Sequence, residues 1–141
     1  MILLDTTVLV YAVGADHALR EPCRALMAAI GEGRIAATTT PEVIQEFAHV
    51  RARRRDRADA AALAESYATL LAPLVAVDAG DLGEGLRLFR DHAALGAFDA
   101  VLAAVVSRRP HITALVSADA AFGGVPGCRH LHPADPALHR P

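Results

Sequence analysis

The sequence predicts a single α/β domain in which a short central parallel sheet is flanked by helices, an α/β/α sandwich. Three observations predict it. The length of 141 residues is about one domain. Short apolar runs alternate with longer segments of helical spacing, the pattern of strands and helices that builds a parallel sheet between helical layers. Apolar residues make up 53% of the chain but aromatic ones only 4%, which points to helices packed closely through small side chains such as alanine.

Met1 to Leu4 is a short apolar run ending at an acid, consistent with a buried parallel strand. Thr6 and Thr7 are placed to cap a helical turn through Val8, Leu9, Val10 and Tyr11. From His17 to Gly33, Leu19, Cys23, Leu26, Met27 and Ile30 recur at helical spacing; Gly31 and Gly33 give a stop, and Pro22 moves the expected start toward Glu21. Ile35 to Thr38 reads as a second strand. Thr40-Pro41-Glu42 is a helix start, with a capping residue, a proline at the first helical position and an acid in the first turn. That helix ends in an arginine run, and an alanine-rich helix follows from Arg57 to Leu71, closed by Pro73. Leu74 to Val77 is a third strand candidate, and Asp78 caps a helix from Ala79 to Ala94. Gly96 breaks the chain before an apolar helix from Ala97 to Arg109, stopped by Pro110. Thr113 to Val116 is a fourth strand candidate, and Arg129 to Leu131 a short further one. No linker, internal repeat or low-complexity stretch divides residues 1–141.

Composition excludes several chemistries. All fourteen basic residues are arginine, so neither a P-loop lysine nor Schiff-base chemistry is available. Cys23 and Cys128 form no metal-binding or redox pair. His130 and His132 would share a strand face, but no third nitrogen or sulfur ligand stands at a zinc spacing. No segment has the roughly 18 uninterrupted apolar residues of a membrane span, and the N-terminus has no basic leader. The expectation is a soluble, cytoplasmic protein with no membrane partner.

Four segments each deliver one carboxylate beside an apolar run: Ile2-Leu3-Leu4-Asp5, Glu42-Val43-Ile44-Gln45-Glu46-Phe47, Ala97-Phe98-Asp99-Ala100-Val101 and Leu115-Val116-Ser117-Ala118-Asp119. Acids so placed are costly unless a positive charge offsets their desolvation and mutual repulsion. A divalent metal is the expected source of that charge. Ligands of α/β sheets bind beyond the carboxyl ends of the strands, where Asp5 and Asp119 are expected. Asp5 and Asp99 each have an alternative use at a helix start, and Asp119 one in a turn. Glu42 has its own role in the helix start, which favours Glu46 as the site residue.

The ordered set of strand-Asp-Thr-x-Val-Leu-Val, Glu46 on a helix, Phe98-Asp99-Ala100 opening a helix and Val116-Ser117-Ala118-Asp119 resembles the PIN-domain nucleases, and most of all the VapC toxins of type II toxin–antitoxin pairs. The likeness covers nearly the whole chain. It implies a PIN-like fold and an acidic quartet of Asp5, Glu46, Asp99 and Asp119 that binds Mg²⁺ or Mn²⁺, hard cations suited to oxygen ligands. It further implies endonucleolytic cleavage of RNA, a VapB-like antitoxin as partner and a homodimer, for which the apolar helices between Thr40 and Leu71 offer a surface. The family often has Asn where this chain has Thr7; the hydroxyl can still hydrogen-bond a carboxylate or water. Ser117 fits a similar supporting role behind the ligands.

Arg51, Arg53, Arg54 and Arg55 have two readings: contact with RNA phosphates or the antitoxin, or complement to the helix dipole. Two other functions compete with the nuclease. An Asp-nucleophile phosphatase of the haloacid-dehalogenase type also starts with strand-Asp, but wants an acid where Thr7 stands. A PIN-fold module without catalysis would have no reason to keep four mutually repelling carboxylates.

Overall fold

The structure is a computed structural model and describes residues 1–139. Its elements in chain order are β1 (Ile2–Leu4), α1 (Thr6–Val13), α2 (Arg20–Gly31), β2 (Ala37–Thr38), α3 (Pro41–Arg54), α4 (Arg57–Leu70), α5 (Ala79–Asp91), α6 (Ala97–Ser107), β3 (Ala114–Val116) and β4 (His130–Leu131). Short 3₁₀ turns cover Ala120–Gly124 and Pro136–Leu138. The four strands form one parallel sheet in the order β2-β1-β3-β4, with Ile2 in register with both Ala37 and Ala114. Leu3, Leu4, Leu115 and Val116 are fully buried, as central strands covered on both faces must be. One core cluster runs from Ile2 to Leu138. The α/β/α expectation holds.

Local chemistry explains most element ends. Thr40 caps α3 through Val43 N–H, with Pro41 at the first helical position as the sequence predicts. Asp78 caps α5 in a reciprocal box with Asp81. At α1 the cap is Asp5, whose carboxylate accepts from Thr7 N–H, and not Thr6 or Thr7. Both threonine hydroxyls turn instead to other acids.

Two sequence expectations fail. Leu74 to Val77 is no strand: after the Ala72–Pro73 bond it runs as irregular chain, joined to the region of β2 by a single backbone bond from Val75 N–H to Thr39 O (2.9 Å). Length and apolarity alone cannot separate a buried strand from an extended connection. His132 lies beyond the end of β4, so it shares no strand face with His130; Nε2 of His130 sits 2.8 Å from Ser117 O, while Nδ1 of His132 accepts from Ala134 N–H.

Two charged groups lock the helices. Arg51 joins α3 to α4 through Asp59 (2.6 Å) and to the end of α1 through Val13 O (3.1 Å). Asp81, fully buried, accepts from both Arg108 and Arg109 just past α6, with three bonds of 2.5–2.8 Å, and from Asp78 N–H at 2.9 Å. Burial pushes its carboxyl up, yet the hydrogen bonds from Arg109, the Asp78 backbone and Arg108 outweigh it and hold the pKa at about 2. The closest helix approach is at Gly85 of α5. A Cβ there would lie 2.6 Å from Val101 Cα of α6. Gly85→Ala is therefore expected to push the two helices apart and destabilise by about 1–3 kcal/mol, read as a lowered melting temperature.

Candidate metal centre

The carboxyl ends of β1 and β3, the middle of α3 and the first turn of α6 meet at one cleft. It has a volume of about 330 Å³, and Asp5, Glu46, Asp99 and Asp119 all line it, with Thr6, Thr7 and Arg54 among the others. Glu42, one turn before Glu46, lines a different and mostly apolar hollow with Val77, Phe98 and Val101.

Each acid is held by its local element. Asp5 is 3% exposed. Its backbone N–H closes the sheet onto Val116 O (3.0 Å), which fixes the side chain at the mouth of the cleft. Oδ2 takes three donors: Thr7 Oγ1 at 2.8 Å, Ser117 Oγ at 2.7 Å and Thr7 N–H at 3.4 Å. Both hydroxyls are oriented in turn, because Thr7 Oγ1 accepts from Ala118 N–H and Ser117 Oγ accepts from Asp119 N–H, each at 3.0 Å. With backbone donors behind them, the hydroxyl protons are directed at Asp5, whose Oδ2 is nearer to each than the 3.4 Å between the two hydroxyls. All the donors converge on one oxygen, and Oδ1 is left for another partner. Thr7, standing where the family often has Asn, thus bonds a carboxylate as the sequence suggested.

Glu46 repeats the arrangement: Oε2 accepts from Thr6 Oγ1 at 2.5 Å, and Oε1 has no protein donor among the described residues. Asp119 caps the 3₁₀ turn after β3 through Oδ1, which accepts from Ala121 N–H (2.9 Å). Asp99 accepts no hydrogen bond among the described residues, and the Gly96 cap of its helix offers no side chain. Burial first, then the charges of Asp5, Asp119 and Glu46, push its pKa up to about 6. Both effects disfavour the ionised form, burial by desolvation and the neighbouring carboxylates by like charge.

None of the four acids makes an ion pair among the described residues, although Arg54 lines the same cleft. The free oxygens of Asp5, Glu46, Asp99 and Asp119 are hard donors, which fit a hard divalent cation. Among the described residues no three Asp, Glu, His or Cys side chains close into a ready coordination sphere. Cys23 and Cys128 are buried elsewhere, their thiols pushed up to about 11 by burial.

Of the arginine run, Arg54 alone lines the cleft. Arg51 is committed to Asp59 and Val13, Arg53 is exposed on α3, and Arg55 ends the helix. Sequence reasoning missed Thr6, which it read as a cap and which bonds Glu46 instead.

Comparison with known proteins places the fold in a family. The PIN domain family matches residues 2–127. The chain belongs to the PIN-domain family. Within it the chain is 55% identical to Ribonuclease VapC7 of Mycobacterium tuberculosis over 137 residues, 94% of this chain and 92% of that protein. It is 35% identical to Ribonuclease VapC23 of the same organism over 111 residues, 77% of this chain and 86% of that protein. A crystal structure of VapBC2 from Rickettsia felis, bound to a DNA fragment from their promoter, contains the same fold: TM-score 0.71 at 14% identity, covering 94% of this chain and 98% of that one. Membership in this family sets aside the haloacid-dehalogenase-type phosphatase. No helix among the described residues is long and apolar enough to cross a membrane.

Proposed function

We propose that this PIN-domain protein is a metal-dependent endoribonuclease and the toxin of a VapBC-type toxin–antitoxin pair, formed by residues 1–141 as one domain. The observation that carries the reading is the convergence of Asp5, Glu46, Asp99 and Asp119 on one cleft without a cationic partner. The names of the VapC relatives support the substrate class and the toxin role. A Mg²⁺ or Mn²⁺ ion held by these carboxylates would acidify water and neutralise charge on the scissile phosphodiester.

The chain's own residues do the rest. Thr7 and Ser117 hold Oδ2 of Asp5, and Thr6 holds Oε2 of Glu46, which leaves the other oxygen of each carboxylate free. Asp99 stands half-buried on the opposite wall. Its raised pKa means that below about pH 6 protons compete with a cation for this carboxylate, so metal affinity should weaken there. Arg54 at the end of α3 supplies the positive side of the cleft, to RNA or to a VapB-like antitoxin.

A homodimer in the cytoplasm is part of the same proposal. The exposed large apolar side chains available to it include Leu82, Leu86 and Phe89 of α5 as well as Leu70 of α4.

The decisive test is cleavage of total cellular RNA by antitoxin-free protein with Mg²⁺ or Mn²⁺, against the same protein in EDTA. Metal-dependent cutting at defined sites is expected. A folded protein that binds no divalent ion at millimolar concentration and cuts nothing would instead be a binding module. Ser117→Ala removes one oriented donor from Asp5 and leaves Asp119 N–H without its acceptor; a loss of about 10- to 100-fold in metal affinity or cleavage rate is expected, measured by titration with Mn²⁺ and by initial rates.

A further inference from the structure

The seam between α1 and α3 does not stop at the carboxylates. Val10, Val50 and Arg54 line both the acidic cleft and a narrow neck beyond it; Val13, Gly14 and Arg51 carry the neck into a second cavity of about 390 Å³. Four arginines surround that cavity: Arg20, Arg51, Arg54 and Arg55. Arg51 is neutralised by Asp59. Arg20, Arg54 and Arg55 make no ion pair among the described residues. Nε of Arg20 is buried with no hydrogen-bond partner among the described residues. A buried donor without an acceptor is rare in folded proteins, and a guanidinium fork is built for a phosphate's oxygens.

We infer that this cavity is a phosphate subsite, taking a phosphate of the same RNA strand that is cut at the carboxylates. The inference rests on the nuclease reading and adds to it an anchor that works without the metal. The acidic cleft on its own repels a polyanion. The arginine cavity lies outside it, with Arg54 eight residues along α3 from Glu46, a rise of about 12 Å that a few nucleotides span. Arg54 faces both spaces and would guide the strand from one to the other. The neck itself encloses only about 10 Å³, so the strand would pass over Arg54 between the two openings and not through the neck.

The test is binding of a labelled single-stranded RNA oligonucleotide to the full chain, free of antitoxin, in EDTA over a series of salt concentrations. Arg20→Gln is expected to weaken binding about tenfold and to reduce the slope of log K against log salt by about 0.7, the value for one phosphate contact on a single strand. Arg20→Lys should keep most of the slope but not all of the affinity, and Arg54→Gln should match Arg20→Gln. Arg90→Gln, on the exposed face of α5 beside Asp91, is the control and should change neither. Thermal melts establish that each variant is folded, and Arg55→Gln replaces Arg20→Gln if the latter is not. Unchanged affinity and slope in the arginine variants of a protein that still cleaves RNA with Mg²⁺ would overturn the subsite alone. An unsubstituted protein that neither binds nor cleaves RNA would overturn the nuclease reading with it. Variants that bind RNA normally but lose affinity for an antitoxin would assign the cavity to an acidic segment of that partner, and the inference would fall.

Discussion

Asp99→Asn should do two opposite things: abolish metal-dependent cleavage and stabilise the metal-free protein. The loss of activity is expected to reach about 10³-fold, the scale for removing one preorganised charge from a reacting centre. The gain in stability follows from the raised pKa. Asp99 titrates near 3.8 in the unfolded chain and at about 6 within the fold, so between those values the native state binds more protons than the unfolded one. Stability contributed by this group is then complete below about pH 3.8, falls as pH rises, and is gone above about 6. A tenfold change in acid strength corresponds to about 1.4 kcal/mol; discounted for a half-buried position, removing the charge should stabilise by about 1–2 kcal/mol at neutral pH. Melts in EDTA at pH 5 and pH 8 measure this directly. The unsubstituted protein should be more stable at the lower pH relative to Asp99→Asn, and Mg²⁺ should raise its melting temperature more than that of the variant. Equal melting curves for the two proteins at both pH values would show that Asp99 feels no crowding of charge.

Asp81→Ala is expected to be the most destabilising single change away from the cleft. It strips a fully buried carboxylate from Arg108 and Arg109 and leaves Asp78 N–H without its acceptor. Breaking a buried pair on one side typically costs about 3–5 kcal/mol. Since Arg108 is 38% exposed and can rehydrate, the lower end applies, a fall in melting temperature on the order of 10 °C for a domain of this size. Because the Asp81 pKa is depressed, its contribution is present above about pH 3.8 and disappears only as pH falls toward 2, the reverse of Asp99. The exposed Asp78→Asn should have a much smaller effect. Cleavage per folded molecule should be little altered by Asp81→Ala, and a selective loss of rate with an unchanged melt would mean that this pair reaches the cleft.

The parts of the site that were legible in the sequence are those whose cost was visible there. An acid behind three apolar residues, as at Asp5, or between Phe98 and Ala100, announces desolvation whatever the fold. Glu46 could be preferred over Glu42 because the helix start already used the latter, and the structure puts the two side chains in different hollows. What was hidden depends on contacts between distant segments. Thr6 looked like a cap and instead bonds Glu46, forty residues away. Arg20 belongs to an ordinary amphipathic helix and meets Arg54 only through the packing of α1 between them. Within the fold, Leu74 to Val77 had the apolarity of a strand but makes only one backbone bond, from Val75 N–H to Thr39 O just past the edge strand β2, too few to extend the sheet. Two-residue strands such as β2 and β4 carry too few side chains for any periodicity to mark their limits.

The pairing of β1 with β3 has a consequence for how the protein is made. Asp5 leaves a ribosome more than a hundred residues before the hydroxyl of Ser117 that orients it, and before Asp119. Until β3 emerges and docks along β1, the cleft lacks a wall. A growing chain without β3 therefore holds Asp5 with neither the hydroxyl that orients it nor the acid that faces it across the cleft. The cleft is assembled by long-range pairing, and its chemistry waits on that one docking step.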